Sequence, residues 1–518
     1  MKSSISPAAA ILILLMALVS ACSRAKPDTS AEGGEPVAPE ARILPGGELR
    51  YGFTTEPATL DPLDPANTAD GRSILFNVFE GLVKPDTGGN FLPAVAEAWE
   101  VTEEGRVYVF TLRPGLRFHD GSDVDAADVE FSLNEAIRAG FTGFNQIESV
   151  AVTPGGEIRV TLKAPDPEFL PYLAVGIVPR NNAERKTKPI GAGPFSIESY
   201  AAQRSLTLVK NPHYRLEGLP YLDKVTIVFV ADSDALLLAL RAGSIDGAGV
   251  TGSLIPQLDP DVFEAVPGYS NSVQMIALNN ARPPLDDPRV RQALNYAIDP
   301  QEIIDTAFYS LGEPSGSPLI PGLSKYYDRS LVNPYPADAD KAKALLAEAG
   351  YGEGAPKGRL SLEITVPSNY TMHVDTAQVA VNQLERAGVK AAIRLVDWGV
   401  WLSEAYQGRR YTATIISVDS PAASPRGFLS RYRSDAGGNF FNYRSDAFDR
   451  VYDEAQREMR DDRRAELYQE AQRIVSGDAA AIYIQDILGF KVFPKGRFGG
   501  ALNYPLYVTD FSSIYRLQ

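Results

Sequence analysis

The chain has 518 residues, 44% of them hydrophobic and 22% charged, the balance of a folded globular protein and not of a disordered one. Single cores stop growing near about 250–300 residues, so this length points to two or three domains. A net charge of −15 with no basic block argues against a nucleic-acid binder, and one cysteine with three scattered histidines argues against a disulfide framework, a thiol enzyme or a zinc hydrolase.

The chain opens on Lys2 and an apolar run over residues 8–19, too short for the roughly 20 residues of a membrane span. Val19-Ser20-Ala21-Cys22 follows and resembles the lipobox of bacterial lipoproteins. The expectation is a signal peptide over 1–21, cleaved before Cys22, whose sulfur receives lipid and anchors the protein to the envelope membrane. The alternative is an ordinary secretory signal with an incidental cysteine. Residues 23–45 are rich in Ala, Glu, Gly, Pro and Ser without apolar periodicity, so 22–46 reads as anchor and flexible tether. Order is expected from Gly47 onward.

Residues 48–53 alternate polar and apolar, the period of a strand. Residues 107–112 are β-branched and aromatic and form another strand. A helix is expected over 125–138, capped by Asp125, with Val129, Leu133 and Ala136 on one face and Gly140 as its stop. Strands follow at 157–162, 206–210 and 225–230, and a helix at 234–242. Further helices are expected at 290–298, interrupted by Asp299-Pro300, and at 340–349. A strand at 360–366, a helix at 374–387 and a strand at 390–396 make one β-α-β unit. Residues 445–475 read as mostly helical, and 480–484 as a last strand. The fold class is mixed α/β.

The punctuation between these elements carries a resemblance. It includes Glu80-Gly81-Leu82-Val83, Phe110-Thr111-Leu112-Arg113-Pro114-Gly115, Phe118-His119-Asp120-Gly121 and Gly191-Ala192-Gly193-Pro194-Phe195. It continues with Asn211-Pro212-His213-Tyr214, Leu240-Arg241-Ala242-Gly243, Arg289-Val290-Arg291-Gln292-Ala293-Leu294 and Glu348-Ala349-Gly350-Tyr351. In this order, from about Gly47 to near the C-terminus, they resemble the extracellular solute-binding protein family 5, the peptide, oligopeptide and nickel binding components of ABC importers.

The resemblance implies a two-lobed type II periplasmic binding protein fold with an extra domain. Lobe I would join 47–75, 176–281 and 485–518. The extra domain would hold 76–175 and lobe II 282–484, with crossings near 279–281 and 485–487. The implied function is capture of a peptide or peptide-like solute between the lobes, for delivery to a membrane permease and its ATPase. A nickel chelate, an oligosaccharide or an opine-like solute is the alternative ligand. An envelope hydrolase is a remoter reading, without a G-x-S-x-G or clustered histidines to support it. The protein would be a monomer on the periplasmic or extracytoplasmic face, with no cofactor and no bound metal.

The segments matching the family's ligand-facing ones place Thr55 and Glu56 on one lobe and Ile416, Ser417, Val418 and Asp419 on the other. Trp398 matches a pocket aromatic and His373 the start of a helix facing the cleft. Where relatives carry a tryptophan and then an acid, this chain has Val418 and Pro421, so Val418 should leave extra space. Asp419, two residues early and thus on the same strand face, is the candidate partner for a cationic ligand group.

Overall fold

A computed structural model of the chain describes residues 42–420, 424–506 and 508–518. The signal segment, Cys22 and Pro421 lie outside the described residues. Among the described residues, two large sheets and a four-stranded one organise the fold, beside a three-stranded and a two-stranded sheet.

The first sheet is seven-stranded, in the order Phe263–Gly268, Gly489–Pro494, Gly247–Thr251, Glu48–Phe53, Lys224–Phe229, Ser205–Lys210, Phe195–Ala201. Its centre is Glu48–Phe53, flanked in parallel by Lys224–Phe229 and Gly247–Thr251. The expected alternation holds there, since Leu49 and Tyr51 are buried while Glu48 is exposed.

The second sheet has six strands, in the order Gly312–Pro314, Ala481–Ile487, Ser272–Leu278, Ala413–Asp419, Ser361–Pro367, Lys390–Val396. The β-α-β unit read from the sequence is present. Ser361–Pro367 and Lys390–Val396 pair in parallel, and the helix Thr371–Arg386 is their crossover. Ala377, Ala380 and Leu384 pack that helix onto Ile364 and Ile415.

The smaller, four-stranded sheet runs Ala96–Thr102, Val107–Leu112, Ile158–Leu162, Ile147–Val152. The helix Ala126–Arg138 covers it with Val129, Leu133 and Ala136, all buried. Asp125 accepts from the backbone of Ala127 and Asp128, and Asp128 returns the bond to Asp125 N–H, a complete capping box.

Three sequence expectations need correction, and a fourth gains detail. The chain leaves the first sheet after Gly268 and enters the second at Ser272, so the first crossing precedes the strand Ser272–Leu278 instead of following it near 279–281. The reason is burial: from Val273 on, that strand is buried on both faces, which suits a central strand of the second sheet. The tether also ends early, because Ile43–Leu44 pairs with Tyr515–Leu517 near the C-terminus. Asp299-Pro300 starts a helix as well as ending one: Asp299 caps Pro300–Ala307, with proline at the first helical position where no N–H is needed. The helical 445–475 region is two helices, Asp446–Ala455 and Asp461–Gly477, the second opening on Asp461 and Asp462 at its positive end.

The smaller sheet's segment meets the second sheet's surroundings through one buried ion cluster. Arg426 donates to both carboxylate oxygens of Asp166, at 2.8 and 2.9 Å, and lies 3.6 Å from Glu168. The Tyr468 hydroxyl donates to Glu168 at 2.6 Å. Burial raises the Glu168 pKa, and Arg426 opposes the rise.

Candidate functional site

Where the strand Ala413–Asp419 ends, the second sheet opens into a cavity of about 460 Å³. This lies within the roughly 300–1,000 Å³ of small-ligand sites. Ile416, Ser417, Val418 and Asp419 line it from the strand, and His373 and Trp398 line it from the helices at the ends of the neighbouring strands. Six of the residues singled out from the sequence therefore converge on one space. Thr55 and Glu56 do not line it. They follow the strand Glu48–Phe53 of the first sheet, where the Glu56 carboxylate accepts from the Tyr200 hydroxyl at 3.0 Å and from Gln203 N–H at 2.8 Å.

The wall is aromatic. Trp398 is 37% exposed, which makes it a surface of the cavity and not core. It stacks on Trp401 at 5.1 Å between centroids and takes Tyr370 edge-on at 5.5 Å. Trp401 is buried and held by its indole N–H on Thr414 Oγ1 at 2.8 Å. Tyr406 and Phe440 complete the wall. Sequence reasoning missed Trp401 and Tyr406 as a pair for a geometric reason. Five residues apart, they stand about 140° apart on an α-helix. Here the helix Trp398–Trp401 runs into a π-helical stretch, Leu402–Gln407, and the two rings stack at 6.1 Å.

His373 is buried and does not cap its helix by side chain. Its Nδ1 lies 3.0 Å from Gln274 Nε2. The same amide nitrogen lies 3.0 Å from Thr376 Oγ1, whose own proton goes to the Met372 carbonyl. Thr376 therefore accepts, Gln274 donates to both partners, and the proton of His373 is assigned to Nε2. Gln274 Oε1 in turn accepts from Gln485 at 2.8 Å. Burial pulls the His373 pKa down to about 4. The ring is thus neutral at physiological pH, with Nδ1 held by Gln274 and Nε2–H left toward the cavity. By linkage its neutral form supports stability above pH 6.5, and that support is lost as pH falls through about 4. The His373 ring resonances should stay flat from about pH 8 to about 5.5 in NMR; a midpoint near 6.5 would break this network.

Ser417 Oγ is buried without a hydrogen-bond partner. Opposite Asp419 in register stands Ser272, also on the cavity. Arg431, which no sequence motif marked, lines the same space; its Nη1 donates to the carbonyls of Asp419 and Gly427, both at 2.9 Å. Among the described residues, no group of three or more His, Cys, Asp or Glu side chains is placed to hold a metal. None of their helices is long and apolar enough to cross a membrane. His119 is tied into a turn, accepting from Gly191 N–H and facing the Gly193 carbonyl, both at 3.2 Å.

The profile of the bacterial extracellular solute-binding proteins, family 5 (middle region) matches residues 90–440. The chain belongs to this family. The family 5 chain is 27% identical over 532 residues to heme-binding protein A of Haemophilus influenzae, across 95% of this chain and 94% of that one. It is 29% identical over 360 residues to the glutathione-binding protein GsiB of Salmonella paratyphi A, across 66% of this chain and 68% of the relative. In fold it is similar to the unliganded open form of MppA, a periplasmic murein tripeptide binding protein, with a TM-score of 0.84 at 23% identity over 93% of this chain and 99% of that one. The family 5 chain is thus an extracytoplasmic solute-binding protein of the class that serves ABC importers of peptides or related solutes, and its relatives are binding proteins, not enzymes.

Proposed function

We propose that this chain is the lipid-anchored, monomeric capture subunit of an ABC importer. It takes a peptide or peptide-like solute between a lobe built on the seven-stranded sheet and one built on the six-stranded sheet, and hands it to the permease and ATPase. The observation that carries the reading is the aromatic cavity at the end of Ala413–Asp419, where six residues chosen for ligand contact meet. Backbone groups of the strand end give directional bonds. Trp398 and Tyr370 supply a rigid apolar wall, and Asp419 takes a cationic group. Thr55 and Glu56 belong to the opposite lip, reached when the lobes close.

Native mass spectrometry of the purified protein tests this: a peptide-like mass should co-purify, and a different class of solute would replace the reading. Asp419→Asn should weaken an amine-bearing peptide by about 10- to 100-fold, the loss of one charge-assisted bond. The N-acetylated peptide should be little affected; equal affinities of wild type and variant in calorimetry would remove Asp419 from the site.

Anchoring rests on Val19-Ser20-Ala21-Cys22. Cys22→Ser should move the protein from the membrane fraction to soluble or unprocessed form, and a processed membrane species would defeat the lipoprotein reading.

A further inference from the structure

Arg431 has no place in the reading above, yet it faces the same aromatic space. Its Nη1 is held by two backbone carbonyls, those of Asp419 and Gly427. Those bonds fix the plane of the guanidinium. Its other nitrogens, Nε and Nη2, make no hydrogen bond to the described residues, and none of their ion pairs includes Arg431. Two other arginines show the fork filled by an acid: Arg426 takes both oxygens of Asp166, and Arg50 takes both of Asp246. Arg431 shows a guanidinium already oriented, beside a rigid aromatic wall, with its two-pronged edge unassigned.

Two further groups suit an anion here. The assigned tautomer of His373 gives an Nε2–H at a neutral, buried ring on the cavity. Ser417 Oγ is a buried hydroxyl without a hydrogen-bond partner among the described residues, and a buried hydroxyl left so is costly. The Nε–Nη2 edge of arginine matches two oxygens of a planar carboxylate. The net charge of −15 and the nearby Asp419 disfavour a dianion such as phosphate in the same space.

We infer that Arg431 is the anion anchor of this cavity, and that the solute it captures carries a carboxylate beside an apolar or aromatic group. This rests on the cavity being the solute site. With Asp419 and Arg431 on one cavity, a peptide held by both ends is short, and its carboxylate is read by side chain and not only by backbone.

The test compares a mixed-sequence library of di- to tetrapeptides as free acids with the same library as C-terminal amides. Retention is read by native mass spectrometry, and affinity by tryptophan fluorescence, since two of the three tryptophans, Trp398 and Trp401, line the cavity. Wild type should retain acids in preference to amides by about 10- to 100-fold, the worth of one charge-assisted fork. Arg431→Gln should erase that preference by weakening acids alone, and Arg431→Lys should restore part of it. Because the acid-to-amide comparison is made on wild type, misfolding of a variant cannot decide it. Equal retention of both forms overturns the Arg431 anchor while the peptide reading stands. Retention of neither overturns the peptide reading, and the anchor with it.

Discussion

Arg426→Ala should destabilise the protein by about 3–5 kcal/mol, the usual cost of removing one partner from a buried ion pair. Asp166 and Glu168 are both buried, with side chains only 4% and 6% exposed, and Arg426 is the cation that meets both. Truncation leaves two carboxylates facing one another in a low-dielectric space, with the Tyr468 hydroxyl as partial compensation at Glu168. Burial already raises the Glu168 pKa and Arg426 opposes the rise, so without the guanidinium Glu168 takes up a proton more readily and the deficit should shrink as the pH falls from about 7.5 toward about 4. Urea unfolding at both pH values checks this. The neutral combination Arg426→Ala, Asp166→Asn, Glu168→Gln should regain most of the loss, because no buried charge remains unpaired. A single variant as stable as wild type at neutral pH would mean that water reaches the cluster and that it does not clasp the smaller sheet's segment to the second.

Local patterns made much of this architecture legible. Asp125 announces a helix start, and the structure keeps it as the cap while adding the return bond from Asp128 that completes a capping box. The β-α-β unit was readable because its helix has a 3.6-residue stripe and its strands do not. The strand Ser272–Leu278 was assigned to the wrong side of a crossing, since a strand buried on both faces carries no sign of which sheet it enters. At the site, Trp398 and the 416–419 run were legible by position in the family pattern. Trp401 and Tyr406 were not, because only a π-helical stretch brings them together. Arg431 was not, because an arginine in a polar segment looks solvated until its Nη1 is seen on two carbonyls.

Asp486→Asn should stabilise the protein at alkaline pH, where wild type weakens. Asp486 closes the strand Ala481–Ile487 and is fully buried. Its Oδ1 accepts from Ser270 N–H at 3.3 Å and Ser270 Oγ–H at 3.2 Å, so it ties the outgoing crossing between the sheets to the returning one. Its Oδ2 has no partner, and Glu313 stands opposite it in register. Burial, with the nearby Glu313 charge adding to it, lifts its pKa from 3.8 to about 8. The sign follows from linkage. A raised carboxyl binds its proton more tightly in the folded state, so its contribution is fully present below about pH 4 and is lost as pH rises through about 8. At about 1.4 kcal/mol per pKa unit, wild type should lose a few kcal/mol across that window. Asparagine keeps an oxygen toward Ser270 and places an N–H₂ where Oδ2 now lacks a partner, and it cannot ionise. Urea unfolding at about pH 5 and about pH 8.5 should show wild type falling further than Asp486→Asn between the two. Glu313→Gln should shrink the loss and complete it at lower pH, because removing that like charge lets the Asp486 pKa fall and narrows the difference between folded and unfolded states. Parallel profiles for wild type and Asp486→Asn would show that the carboxyl at the crossing is already ionised and solvated.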